Sequence, residues 1–417
     1  MRTEERFVEM ASTHPRCFWL DAGPGTTRGS ITGASIMGAL RDDDVSLTYD
    51  ATRGEVLRHR GDDVRPVGAD IFAVLGDELA RTPPDEIWVG YFGYACRPDL
   101  PARKSRTDGP AMPDAVWMRT RRTPGFDRSP TTGPVGHRAT RSVAETPDAY
   151  TRAFDRVQRE LRAGNTYEAN LTHRIQVRDD VDPALAYLRL RELNPAPYAG
   201  FIQHHDVRLL SSSPERYATI DRDRVIETRP IKGTTPRATC PDEDEELRRQ
   251  LASNPRFRAE NLMIVDLLRN DLAMVCEPGS VTVPSLMAVE SYASVHQLVT
   301  TVRGRLRDGV SGLEALRALF PAGSMTGAPK LRTMEIVRSV ETSPRGVYSG
   351  AFGWIAPDGR ADLGVVIRSL TTPGDGTWEL GTGGGITVHS TAQEEYAESG
   401  WKAERLLRVF GTPLPGD

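Results

Sequence analysis

Among the 53 lysines and arginines of this 417-residue chain, four are lysines: Lys104, Lys232, Lys330 and Lys402. An arginine keeps its charge, whereas an amine can give up its proton and act as a nucleophile or base. Scarcity therefore ranks these four as candidates without choosing among them. Lys232 lies in Arg229-Pro-Ile-Lys-Gly-Thr234, with an apolar residue before it and glycine after it. That setting predicts an amine facing a cleft and partly desolvated, its pKa drawn down toward nucleophilic competence. The alternative is an ordinary surface lysine in a turn.

Carboxylates form a second group. Glu395 and Glu398 are three apart on a final helical segment and share one face. Glu260 leads an apolar helical run ending at Asp271, which makes it either a partner of the helix N-terminus or a metal ligand. Taken singly, the helix-terminus reading is favoured. If the two helices meet, two or three carboxylates converge, and that suits Mg²⁺. Asp242–Glu246 is a charge run expected to form a solvated helix face. Gly383, Gly384 and Gly385 lack Cβ atoms, so their amides could approach an anion, or they could mark a bulge or a tight strand crossing.

Other motifs fail. Residues 321–330 are glycine-rich but lack the GK[ST] ending of a phosphate loop, and Ile386 stands where a dinucleotide fingerprint needs its third glycine. Gly346-Val-Tyr-Ser-Gly350 has one residue too many for a nucleophile elbow, and the eight histidines show no zinc spacing.

The elements that must position these groups follow from periodicity. Tyr150, Ala153, Phe154, Val157 and Leu161 make one helical stripe over 148–163. From Tyr167 to Val177 the chain alternates, with Glu168, Asn170, Thr172 and Arg174 on what reads as a solvated sheet face. A helix is expected near 70–80, with others at 242–252, 256–269, from Ser311 to Phe320, over 328–341 and over 392–410. Strands are expected at 207–213, 216–221, 224–229, 347–356, 362–371 and 378–389. Strand blocks interrupted by helix pairs predict an α+β fold with antiparallel sheets flanked by helices. The boundaries expected are an N-terminal region 1–125, a linker 126–147 and a catalytic domain 148–412.

Composition excludes several classes. Net charge is −4, with no basic bias toward nucleic acid, and no apolar run approaches a membrane span. The four cysteines are scattered, and the N-terminus has no signal-peptide core. The expectation is a cytoplasmic globular protein with neither nucleic acid nor membrane as partner.

Eight segments together resemble the chorismate-utilising enzymes, in particular the large subunit of aminodeoxychorismate synthase and its relative anthranilate synthase component I. They are Gly164–Thr172, Ser212–Tyr217, Arg229–Thr234, Glu260–Asp271, Pro321–Lys330, Arg345–Gly353, Gly383–Ile386 and Glu395–Glu398. Gly90–Tyr94 is the best match in the weaker N-terminal part. The resemblance implies that family's fold, with two interleaved subdomains. Lysine at position 232, where anthranilate synthases carry alanine, and Tyr167-Glu168 look like the aminodeoxychorismate branch. So does Gln297, where many anthranilate synthases have a histidine linked to pyruvate elimination, although His296 is its neighbour.

By this resemblance, chorismate and ammonia would give 4-amino-4-deoxychorismate, a precursor of 4-aminobenzoate in folate biosynthesis. Lys232 would be the nucleophile and Glu215 the acid. Thr234 and Gly383–Gly385 would hold the ring carboxylate, and Tyr348 and Arg368 the enolpyruvyl end. Mg²⁺ would sit on Glu260, Glu398 and Glu395. No cysteine lies in a Gly-x-Cys-x-Gly motif, so a glutamine amidotransferase subunit is expected to supply ammonia. The alternatives are an anthranilate or aminodeoxyisochorismate synthase, aminating C2, or a non-catalytic chorismate-binding subunit.

Overall fold

The computed structural model describes residues 2–22, 35–105, 111–121, 146–292 and 295–411. The expected linker lies outside the described residues except for 146 and 147. Among the described residues two antiparallel sheets carry the fold.

The first sheet has eight strands, in the order Gly327–Ala328, Glu168–Arg178, Thr377–Ile386, Ser369–Thr372, Val207–Ser213, Tyr198–His204, Arg16–Ala22 and Ile36–Ala39. The second has twelve. It runs Ile231–Pro236, Val295–Arg305, Val225–Arg229, Arg216–Ile220, Ala361–Val365, Ala351–Ile355, Glu86–Phe92, Ala115–Arg121, Ser46–Asp50, Glu55–Arg60 and Asp63–Gly68, and Thr282–Ser291 also pairs with Val295–Arg305. Each sheet draws strands from both the N-terminal and the C-terminal half of the chain.

The sheets pack face to face. Phe18, Ile202 and Leu209 of the first form one buried cluster with Val89, Tyr91, Val116, Phe352 and Trp354 of the second. The outer face of the first sheet is covered by helices Thr3–Thr13, Pro183–Leu193 and Ala392–Leu407, through Phe7, Tyr187, Leu190 and Leu406 against Trp19, Phe201 and Trp378. Helices Ile71–Leu79, Pro255–Ala273 and Gly312–Leu319 cover the second, through Leu75, Ile264, Leu268 and Leu316. The order is helix, sheet, sheet, helix, as two one-sided sheets require.

Local signals place several ends. Asp70 caps the Ile71 helix by accepting from the amides of Phe72 and Ala73, and Ser311 with Glu314 forms a capping box. Pro329 is the residue before helix Lys330–Val340 rather than part of its first turn.

Two expected strands are broken by tertiary demands. The run 347–356 is strand only over Ala351–Ile355, because residues 347–350 turn, with Ser349 at φ +66°. The run 362–371 divides into Ala361–Val365, in the second sheet, and Ser369–Thr372, in the first. Arg368, at φ +50°, sits at that crossing. Periodicity along one strand does not reveal a change of sheet.

Three histidines, His204 buried and His59 and His173 half-buried, are hydrogen-bonded within the fold. Burial holds His59 down at about 4, beside Thr48 at 2.8 Å, and His173 at about 4, beside Ser399 at 2.9 Å. His204 lies well below its ordinary value and meets Ser46 of the opposite sheet at 2.9 Å. The unfolded chain binds protons on these rings below about pH 6.5, which the folded chain refuses until about pH 4. Stability should therefore fall as pH drops from about 6.5 to 4. Urea midpoints for the parent and for a His59→Asn/His173→Asn variant test this, and equal slopes in the two would refute it.

Candidate functional site

The two sheets close on each other at one end, where Glu168 opens a strand of the first sheet and Lys232 lies in the end strand of the second. The two side chains meet in a short ion pair, Lys232 Nζ donating to Glu168 Oε1. Both are buried, at 8 % and 1 % exposure. The face carrying Glu168, Asn170 and Thr172 is therefore interior, not solvated. Arg345 and Glu341 occupy that face: Arg345 donates to the Asn170 carbonyl at 2.8 Å, and Glu341 accepts from the Thr172 amide at 2.9 Å.

The environment of Lys232 also differs from expectation. Burial alone would draw its pKa down, but Glu168, Glu260 and Glu215 outweigh burial and the amine is raised above its ordinary value. Glu168 is raised too, by burial that Lys232 only partly offsets, and its Oε2 has no hydrogen-bond partner among the described residues. The carboxylates thus favour the protonated amine, and Lys232 would have to give up a proton before it could act as a nucleophile.

A side chain at Gly385 would crowd this pair, and one at Gly381 would meet a ring. A Cβ at Gly385 would lie 2.4 Å from Glu168 Oε1 and 3.2 Å from Lys232 Nζ, and one at Gly381 would lie 2.2 Å from the Tyr348 ring. Gly383 and Gly384 continue that strand, and the Gly383 carbonyl accepts from Lys402 Nζ at 3.0 Å. Thr234 follows Lys232 by two residues and pairs in register with Gln297. His296 is turned away from Gln297, bonded to Ser291 at 2.7 Å and Asp244 at 3.0 Å. Asp244, also bound to Arg237 at 2.7 Å, is thus an anchor within the otherwise solvated acidic run.

Glu215 occupies the turn where the chain passes from the first sheet to the second, and Arg368 the return crossing. The crossings are bonded together: the Val365 amide donates to the Glu215 carbonyl at 3.0 Å, and the Ser212 amide to the Arg368 carbonyl at 3.1 Å. Burial raises the Glu215 carboxyl to about 7, against Ser324 donating at 2.5 Å and against Lys232. Such a group carries a proton to spare near neutrality. Arg368 is lowered to about 10 by burial and by Arg405, and no ion pair holds it among the described residues. Tyr348 lies nearby under the guanidinium of Arg174, 4.7 Å from its ring centroid.

The third group is acidic. Glu260 does not lead its helix: the helix begins at Pro255 and Asn254 caps it, so the helix-terminus reading fails. Instead Arg256 binds Glu260 at 2.9 Å and reaches across to Glu395 on the last helix. Glu398, 43 % exposed, pairs with Lys402 at 2.8 Å, which holds its carboxyl below the usual range. Among the described residues no three His, Cys, Asp or Glu side chains are arranged around a common point for a metal. The donor chemistry nevertheless fits Mg²⁺: these are hard carboxylate oxygens on two helices, and the Arg256 guanidinium is the cation that bridges two of them.

Sequence reading missed Glu168, Arg174, Arg256, Ser324 and Lys402 as parts of this site. The rarity of lysine was a signal for Lys402. It also marks Lys330, which is half-buried and bound to Asp271 at 2.6 Å, while Lys104 is exposed.

The sequence model of the chorismate binding enzyme family matches residues 16–408. The chain belongs to this family, that of aminodeoxychorismate and anthranilate synthase component I. It is 38 % identical over 460 residues to the aminodeoxychorismate synthase of Streptomyces pristinaespiralis, covering 97 % of this chain and 63 % of that one. To the aminodeoxychorismate synthase of Streptomyces griseus it is 48 % identical over 286 residues, covering 69 % and 39 %. The aligned stretches thus span less than two thirds of these relatives. Anthranilate synthase component I from Streptococcus pneumoniae has the same fold, with a TM-score of 0.72, 24 % identity, and 87 % and 89 % of the two chains covered. No described helix of this family member is long and apolar enough to cross a membrane.

Removing one partner of the buried pair strands the other. Lys232→Met should cost about 3–5 kcal/mol at pH 8, and Lys232→Met/Glu168→Leu should recover most of it. Chemical denaturation measures both. A single variant as stable as the parent would mean that the pair is not formed.

Proposed function

We propose that this chain is the large subunit of an aminodeoxychorismate synthase, converting chorismate and ammonia to 4-amino-4-deoxychorismate and water, for 4-aminobenzoate synthesis. The observation that carries the reading is the buried Lys232 amine on Glu168, facing the protonatable Glu215 and the carboxylate cluster.

Chorismate carries two carboxylates, and the site offers cations to match. Arg368 and Tyr348 take the enolpyruvyl end, while the Gly383–Gly385 backbone and Thr234 take the ring end. Mg²⁺, when bound by Glu260, Glu395 and Glu398, supplies a Lewis acid that draws electron density from the ring. Lys232 Nζ passes one proton to Glu168, the acceptor already bonded to it. Its lone pair then attacks C2, the diene shifts, and the C4 oxygen leaves as water with the Glu215 proton. Ammonia adds at C4, the diene shifts back and expels the neutral amine. Glu168 returns its proton to Lys232, and the newly added nitrogen gives its extra proton to Glu215. Two allylic displacements replace one difficult one.

Two features favour amination at C4 over the anthranilate alternative. Lysine occupies position 232, and Gln297 is the residue beside Thr234 while His296 is engaged elsewhere. Retention of Lys232, Glu260 and Glu398 speaks against a non-catalytic subunit. Cys17, Cys96 and Cys276 are buried, with burial pushing their thiols to about 12, well above 9.0 and about 11. None of these is an activated nucleophile. Cys240, though exposed, lies in no glutaminase motif. Ammonia is therefore assigned to a partner glutamine amidotransferase.

With chorismate, Mg²⁺ and ammonium the chain should form aminodeoxychorismate, read as 4-aminobenzoate after addition of a lyase. Fluorescent anthranilate appearing directly would overturn the assignment. Lys232→Arg should be as damaging as Lys232→Ala, because it keeps the charge and loses the free amine. Without any nitrogen source the parent should gain a chorismate-derived mass on the Lys232 peptide. Near-parental turnover in Lys232→Arg would reduce Lys232 to an orienting charge.

A further inference from the structure

Arg256 has no part in the chemistry above, yet it is the group that joins the two acidic helices. From helix Pro255–Ala273 it donates Nε to Glu260 at 2.9 Å, and through Nη2 it binds Glu395 on helix Ala392–Leu407. The carboxylates are buried, Glu260 at 6 % and Glu395 at 2 % exposure. The arginine side chain is 33 % exposed. Its long stem can carry the guanidinium into water, whereas the carboxylates have no such exit. Two buried carboxylates facing one space without a cation repel each other. Lys402 differs, because besides Glu398 it holds the Gly383 carbonyl of the neighbouring strand.

We propose that Arg256 is a displaceable cation, which holds Glu260 and Glu395 together in the metal-free chain and must release them when a divalent ion enters. This rests on the reading that Glu260, Glu395 and Glu398 hold Mg²⁺. Arg256 thereby competes with the metal and sets the concentration at which the site fills. In its absence the helices lose their bridge until Mg²⁺ replaces it.

The test is calorimetric titration of the full chain with MgCl₂, without substrate, alongside melting curves in EDTA and in Mg²⁺. Arg256→Gln keeps part of the hydrogen bonding and loses the charge. It should bind Mg²⁺ about tenfold more tightly than the parent, the scale of one or two charge-assisted hydrogen bonds no longer broken on binding. It should also melt lower than the parent in EDTA, a deficit that closes as Mg²⁺ is added, because a ligand of the folded state stabilises it. Arg256→Lys, shorter but charged, should lie between the two. Arg258→Gln is the charge control and should track the parent, since among the described residues Arg258 reaches only the Ala252 carbonyl, at 3.2 Å. Parental or weaker Mg²⁺ affinity in Arg256→Gln would overturn the proposal while leaving the metal site standing. Absence of Mg²⁺ binding in parent and variants alike would overturn both.

Discussion

Lys232 and Glu168 belong to different sheets, and neither could be buried without the other. An isolated ammonium or carboxylate in a dry interior costs several kcal/mol, and a paired one still gains little net stability. The bond therefore depends on closure of the sandwich: the pair forms only when strand Glu168–Arg178 of the first sheet and the end strand Ile231–Pro236 of the second come together. Everything near it is arranged to permit that meeting. Gly385 leaves room below the pair, Gly381 lets Tyr348 lie flat, and Arg345 with Glu341 fills the polar face that the strand Glu168–Arg178 would otherwise leave unsatisfied.

The chain passes between the sheets at Glu215 and returns at Arg368, and hydrogen bonds join the two passages. A strand interior could not offer these side chains, because its backbone groups and pleat are committed to one sheet. At a crossing the direction of the chain is free to change, and Arg368 adopts a left-handed conformation to do so. An acid raised to about 7 and an arginine lowered to about 10 thus stand on the same seam. Burial is the largest cause of both shifts, with Arg405 adding to that of Arg368, and an anion brought to Arg368 would relieve its share.

Charge around the site is balanced locally. Glu168 is held by Lys232, Glu260 and Glu395 by Arg256, and Glu398 by Lys402. A cation entering among these carboxylates would exchange partners with existing charges and would not add charge to an empty interior. That exchange lets a cluster of carboxylates persist in a folded chain without a bound cation.

The sequence by itself determined the element types and the α+β class, because apolar periodicity and caps such as Asp70 and Ser311 act within a few residues. Through its motifs it also marked Lys232, Glu215, Glu260, Glu395, Glu398, Thr234, Tyr348, Arg368 and the glycine run. Only the tertiary structure decided their surroundings. Period-two alternation is the same for a solvated face and for a face turned toward a second sheet, so Glu168 read as exposed. The apolar run from Glu260 read as a helix start, although the helix expected over 256–269 begins a turn earlier, and the structure starts it at Pro255. Most of all, the protonation of Lys232 depends on three carboxylates distant in sequence. Its own neighbours predicted a lowered pKa; through-space charge, which falls off with distance and not with residue number, raised it.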